Sequence, residues 1–105
     1  STDFIPVATI PDVPPTPRDE HGRFVFARGA TGHIHCLDRD DPGVVYERDG
    51  VPVLIAPENG TTLQHLVEAT GVPTQDHTAV PVPAGTWEVR RQREVRWGES
   101  SVVED

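Results

Sequence analysis

Lysine and methionine are absent from these 105 residues, and cysteine occurs once. A lone thiol, Cys36, excludes an internal disulfide and leads us to expect a cytoplasmic, reducing setting. Hydrophobic residues make up 35% of the chain and aromatic residues 6%. So thin a core points to a small loop-rich domain that covers more surface as a homo-oligomer. No apolar run approaches the roughly 20 residues that cross a bilayer as a helix, so no membrane partner is expected. Serine occurs only at Ser1, Ser100 and Ser101, all near the ends, which argues against a Ser-His-Asp hydrolase. No Gly-rich phosphate loop precedes a helical pattern. All nine basic residues are arginine and the net charge is −8, a balance that repels phosphate backbones and disfavours nucleic acid. The basic run Arg90-Arg91-Gln92-Arg93 with Arg96 reads as a solvated strand face balancing Glu88, Glu94 and Glu99.

Eleven prolines and nine glycines favour short strands and turns over long helices. Phe4 to Ile10 fits an edge strand, because Pro6 excludes a central one. "RDEHGR" is a turn with Gly22 at its tip. "RFVFARG" alternates with period two, "GATG" turns, and "HIHCLD" is the next strand. After the turn "RDDPG", Val44–Glu47 and Val51–Ala56 form a hairpin about Asp49-Gly50. "ENGTTLQHLVEATGVPTQD" fits both a short helix and a strand with a loop. "TWEVRRQREVRW" alternates throughout, with Trp87, Val89 and Arg91 on one face and Glu88, Arg90 and Gln92 on the other. The expected fold is all-β: a single-domain sandwich or small barrel over residues 1–98, followed by an acidic mobile tail, 99–105.

The pair His33 and His35 carries the chemistry. Side chains at i and i+2 of a strand share a face, about 7 Å apart. Two imidazoles so placed suit one transition metal, which then needs a ligand from elsewhere. His77 and then His65 are the candidates, with zinc the expected cofactor and iron the second. Asp76 or Glu88 would orient a ligand histidine or accept a proton, the catalytic roles open to carboxylates beside a metal. Cys36 falls on the opposite face of a regular strand and reads as a small core residue.

Two resemblances arise at these residues. His33, His35 and Asp40 in "HIHCLDRD", with "PAGTWE" later, resemble the cupin pattern; Glu88 stands where its second motif has a histidine. That resemblance implies a jelly-roll-like sandwich. "GATGHIH" (29–35), "DHTAVPVPAG" (76–85) and "RQRE" (91–94) also resemble a family of small, largely uncharacterised bacterial and phage proteins, which implies no particular activity. The function expected is a His-based metal site that activates water for lyase or hydrolase chemistry on a small carbonyl or CO2-like substrate. The alternative is a non-enzymatic assembly module joined through sheet edges, with Trp87 and Trp97 as interface anchors.

Overall fold

The computed structural model describes residues 2–75, 77–91, 93–96 and 99–102, the last two segments by their backbone alone. Asp49 and Gly50 both take positive φ, 52° and 77°. That is type I′ geometry, whose twist matches that of the strands it joins. The turn links β4 (Val44–Arg48) to β5 (Val51–Ala56), in a register running from Arg48↔Val51 to Val44↔Ile55. β5 pairs with β8 (Gly85–Arg91), and β8 with β1 (Thr2–Pro6), completing an antiparallel sheet in the order β1-β8-β5-β4. β1 is an edge strand that ends at Pro6 instead of reaching Ile10.

The second antiparallel sheet has the order β2-β3-β6-β7, formed by Phe24–Arg28, His33–Leu37, Thr61–Val67 and Val80–Val82. The two sheets make the all-β sandwich. A separate hairpin joins β9 (Arg93–Arg96) to β10 (Glu99–Val102). Four residues expected in the acidic tail therefore pair as a strand, with Glu99 in register opposite Arg96. Residues 103–105 lie outside the described residues, as do Gln92 and Trp97. No helix occurs among the described residues, so none is long and apolar enough to cross a membrane.

Phe24, Leu37, Val45, Leu54, Leu63, Val82 and Val89 pack between the sheets, drawing on both layers. Each fully buried leucine here contributes roughly 2–3 kcal/mol of transfer free energy. A second cluster, Ile34, Cys36 and Leu66 with Val25, lies on the other face of β2-β3-β6. β3 and β6 are thus buried on both faces. This resolves the ambiguous segment: Leu63 serves one cluster and Leu66 the other, so helix-like apolar spacing arises from a strand that feeds a cluster on each face.

Arg18 ties the turns together. Its guanidinium donates to the carbonyls of Gly22 (3.0 Å), Asp38 (2.9 Å), Asp41 (2.7 Å) and Gly43 (3.1 Å). Gly60 is also required: at φ 76° an added Cβ would lie 2.6 Å from the Val82 carbonyl oxygen, at the approach of β6 to β7.

Candidate functional site

The strand period puts His33, His35 and Leu37 on one face of β3. Leu37 belongs to the core between the sheets, so the two imidazoles continue the same row towards one end of the sandwich. On β6 the row Thr61, Leu63, His65 behaves alike. His35 and His65 stand directly opposite each other in register. Their ring centroids are 4.6 Å apart, and those of His33 and His65 are 5.4 Å apart, both pairs edge-to-face. His65 is 5% exposed.

The chain returning from β6 supplies a fourth ring. Leu66 pairs with Pro73, and Leu63 with Val80. Three steps along β6 thus face seven along the return, so the returning strand leaves the sheet edge between these pairs. Such bulges re-aim side chains beside functional sites. This one carries His77 to a centroid distance of 4.6 Å from His65. His77 itself remains exposed, at the rim.

Two hydroxyls hold the inner rings. Thr2 Oγ1, from the facing sheet, is hydrogen-bonded to His35 Nδ1 at 3.1 Å. Thr74 Oγ1 is hydrogen-bonded to His65 Nδ1, and the Thr74 N–H donates to the His65 carbonyl at 3.0 Å. Nε2 of His35, Nε2 of His65 and Nδ1 of His33 are all shielded from solvent. Among the described residues His33 Nδ1 has no hydrogen-bond partner.

His35 and His65 form the wall between two cavities. One, about 10 Å³, is lined by His33, His35, His65 and Arg91 with Ala27 and Gly29. That is close to the space of a single water-sized sphere. The other, about 150 Å³, adds His77, Phe4, Leu63 and Thr78. The rings pack edge-on, and among the described residues no three His, Cys, Asp or Glu side chains already converge as a metal cage.

All four predicted histidine ligands are therefore brought together. Asp76 lies outside the described residues. Glu88 is not brought to them. It alternates with Trp87 and Val89, which face the core, and so projects from the outer face of its sheet, where it pairs with Arg90. Asp40 is exposed in the turn after β3. Trp87 packs against the core and donates its indole N–H to the Pro83 carbonyl at 2.9 Å. Cys36 is fully buried behind the histidine row, and burial, followed by the charge of Asp38, pushes its thiol up to about 12.

Sequence reasoning missed Thr2, Thr74 and Arg91. Only Arg91 left a signal, since it shares a strand face with Trp87 and Val89.

A family profile described as "Domain of unknown function (DUF8820)" matches residues 3–92. Neither a curated protein nor a solved structure matches the chain.

Proposed function

We infer that this chain, which belongs to the family described as a domain of unknown function (DUF8820), binds a divalent transition metal through His33, His35 and His65, with His77 at the rim. One observation carries the reading: three imidazoles from two paired strands line one cavity of one-atom size, together with Ala27, Gly29 and Arg91. Their spacing supports it. With nitrogen about 2.1 Å from a tetrahedral zinc, ring centroids stand about 3.2 Å from the ion and roughly 5 Å from one another. His65 stands at such distances from its two neighbours, 4.6 Å from His35 and 5.4 Å from His33.

The hydroxyls support it too. A ligand histidine characteristically engages its second nitrogen in a hydrogen bond that fixes tautomer and ring orientation. Thr2 and Thr74 are hydrogen-bonded to Nδ1 of His35 and His65, and in this reading Nε2 of each would be the ligating atom. An all-imidazole set suits zinc first and iron second.

His33, His35 and His65 would hold the metal, and it would supply a water of lowered pKa as nucleophile. The chain's own part is to keep the site dry on one side and reachable through the 150 Å³ cavity on the other. There Phe4 and Leu63 form an apolar wall, and His77 at the mouth can relay a proton. The reaction class this supports is hydration or hydrolysis of a small carbonyl or CO2-like substrate.

Elemental mass spectrometry of the untagged protein tests the reading, beside a His33→Ala/His35→Ala variant checked for fold by circular dichroism. We expect close to one zinc or iron per chain, lost in the variant. Metal content unchanged in a folded variant, or a native chain that takes up no zinc when offered excess, overturns it.

A further inference from the structure

We propose that Arg91 makes this site a receptor for small organic carboxylates with an apolar tail, an inference that rests on the metal reading of the histidines. Arg91 is the last residue of β8 and stands opposite Thr2 in register. Strand alternation places it on the face of Trp87 and Val89, towards the second sheet. It lines the small cavity together with His33, His35 and His65. It therefore reaches the candidate metal position from the sheet opposite the histidines.

Like the exposed Arg39 and Arg48, Arg91 has no carboxylate partner among the described residues; what sets it apart is that it lines the histidine cavity. Arg23 pairs with Asp38, Arg28 with Glu68 and Arg90 with Glu88, while Arg18 is committed to four carbonyls. The net charge of the chain is −8. Neutral imidazoles do not offset a cation. Among the described residues no carboxylate would compensate a guanidinium beside a divalent ion, and an anionic ligand would supply that charge. The planar guanidinium fork matches a carboxylate in two-point contact better than it matches a point charge.

The rest of the ligand follows from the neighbouring surface. Arg91 also borders an open groove of about 460 Å³ whose floor is Phe26, Val51, Pro52 and Val89. Arg91 thus borders both the small cavity and the groove. A carboxylate held there lies at the histidines, and a short alkyl or aryl remainder lies along the groove.

The test is amide NMR of the ¹⁵N-labelled full chain, metal-free and zinc-loaded, titrated with butyrate and with its neutral analogue butyramide. Butyrate is expected to shift resonances around His33, His35 and Arg91 saturably, and to bind more tightly in the zinc form. Butyramide and the Arg91→Gln variant should each weaken binding roughly ten- to a hundredfold, the range for a hydrogen bond to a charged group. Arg91→Lys should recover only part. The exposed position of Arg91 leaves folding of these variants intact, which thermal melts verify. Equal affinity for butyrate and butyramide, no binding of either, or an Arg91→Gln variant that binds butyrate like the parent overturns the inference. A chain that loads zinc while ignoring Arg91 overturns this inference and spares the metal reading. Arg91-dependent carboxylate binding in a chain that never takes up zinc overturns the metal reading and retains the carboxylate site.

Discussion

His65 is the residue on which the cluster turns, because His33, His35 and His77 each approach its ring and not one another's alone. Its orientation depends on Thr74, whose hydroxyl and N–H grip its Nδ1 and its carbonyl. Thr74→Val keeps the shape and deletes the hydroxyl. It should weaken zinc binding ten- to a hundredfold, the usual cost of removing such a partner, with little change in fold. Competition with a chromophoric chelator measures this, and an unchanged affinity would mean that Thr74 does not set the ring. A second residue-scale prediction concerns Cys36. Its folded value, about 12, lies above the ordinary 9.0. The buried thiol thus contributes stability that is intact below pH 9 and is lost as pH rises towards 12, by up to about 1.4 kcal/mol per pH unit. With no lysine in the chain, few other groups titrate there. Urea midpoints between pH 8.5 and 10.5 should fall for the parent and stay flatter for Cys36→Ala. The two histidines of β3 and the inert thiol behind them were legible from i, i+2 spacing alone. Thr2 and Thr74 were not, since a hydroxyl that orients a ring carries no local pattern.

At the scale of elements, the β4–β5 hairpin was legible because Asp49-Gly50 demands positive φ in both residues and the flanking runs are apolar. β6 was not, because buried Leu66 follows buried His65 and breaks the alternation that marks a strand. Glu88 shows the limit of motif matching. Its position after the Pro83–Gly85 turn suggested the site, while the period of its own strand sends it outward. The turn regions depend on Arg18, which the sequence presents merely as the entry to a turn. Four carbonyls from the segments on either side of β2 and β3 converge on it. Arg18→Ala leaves these partly buried acceptors to water and should cost about 2–4 kcal/mol. Arg18→Lys keeps the charge but lacks the fork, so it should restore less than half of that. Chemical denaturation checks both, and a lysine variant as stable as the parent would refute the clamp.

At the scale of the molecule, turn spacing was enough to read a sandwich, but not to say which ends of its sheets meet. That depends on pairings across most of the chain, Thr2↔Arg91 and His35↔His65 among them. Those registers close β1 and β8 over the histidine row, and so decide that Arg91 and the imidazoles share a cavity. A metal there would join β3 to β6, and through Thr2 would steady the facing sheet. The native fold brings together the imidazoles of residues 33, 35 and 65, whereas the unfolded chain holds only the His33–His35 pair close together. Binding to the native state should therefore stabilise the whole domain. At free zinc a thousandfold above the dissociation constant the gain is about 4 kcal/mol, less whatever affinity the unfolded chain keeps. For a domain of this size each kcal/mol raises the melting temperature by about 4–8 °C. Zinc should accordingly raise the melting temperature of chelator-treated protein by roughly 10 °C or more, and EDTA should reverse the shift. His65→Ala should abolish the response, since it removes the ring that the two strands share. A melting temperature indifferent to zinc in the parent would show that these imidazoles pack against one another for stability alone.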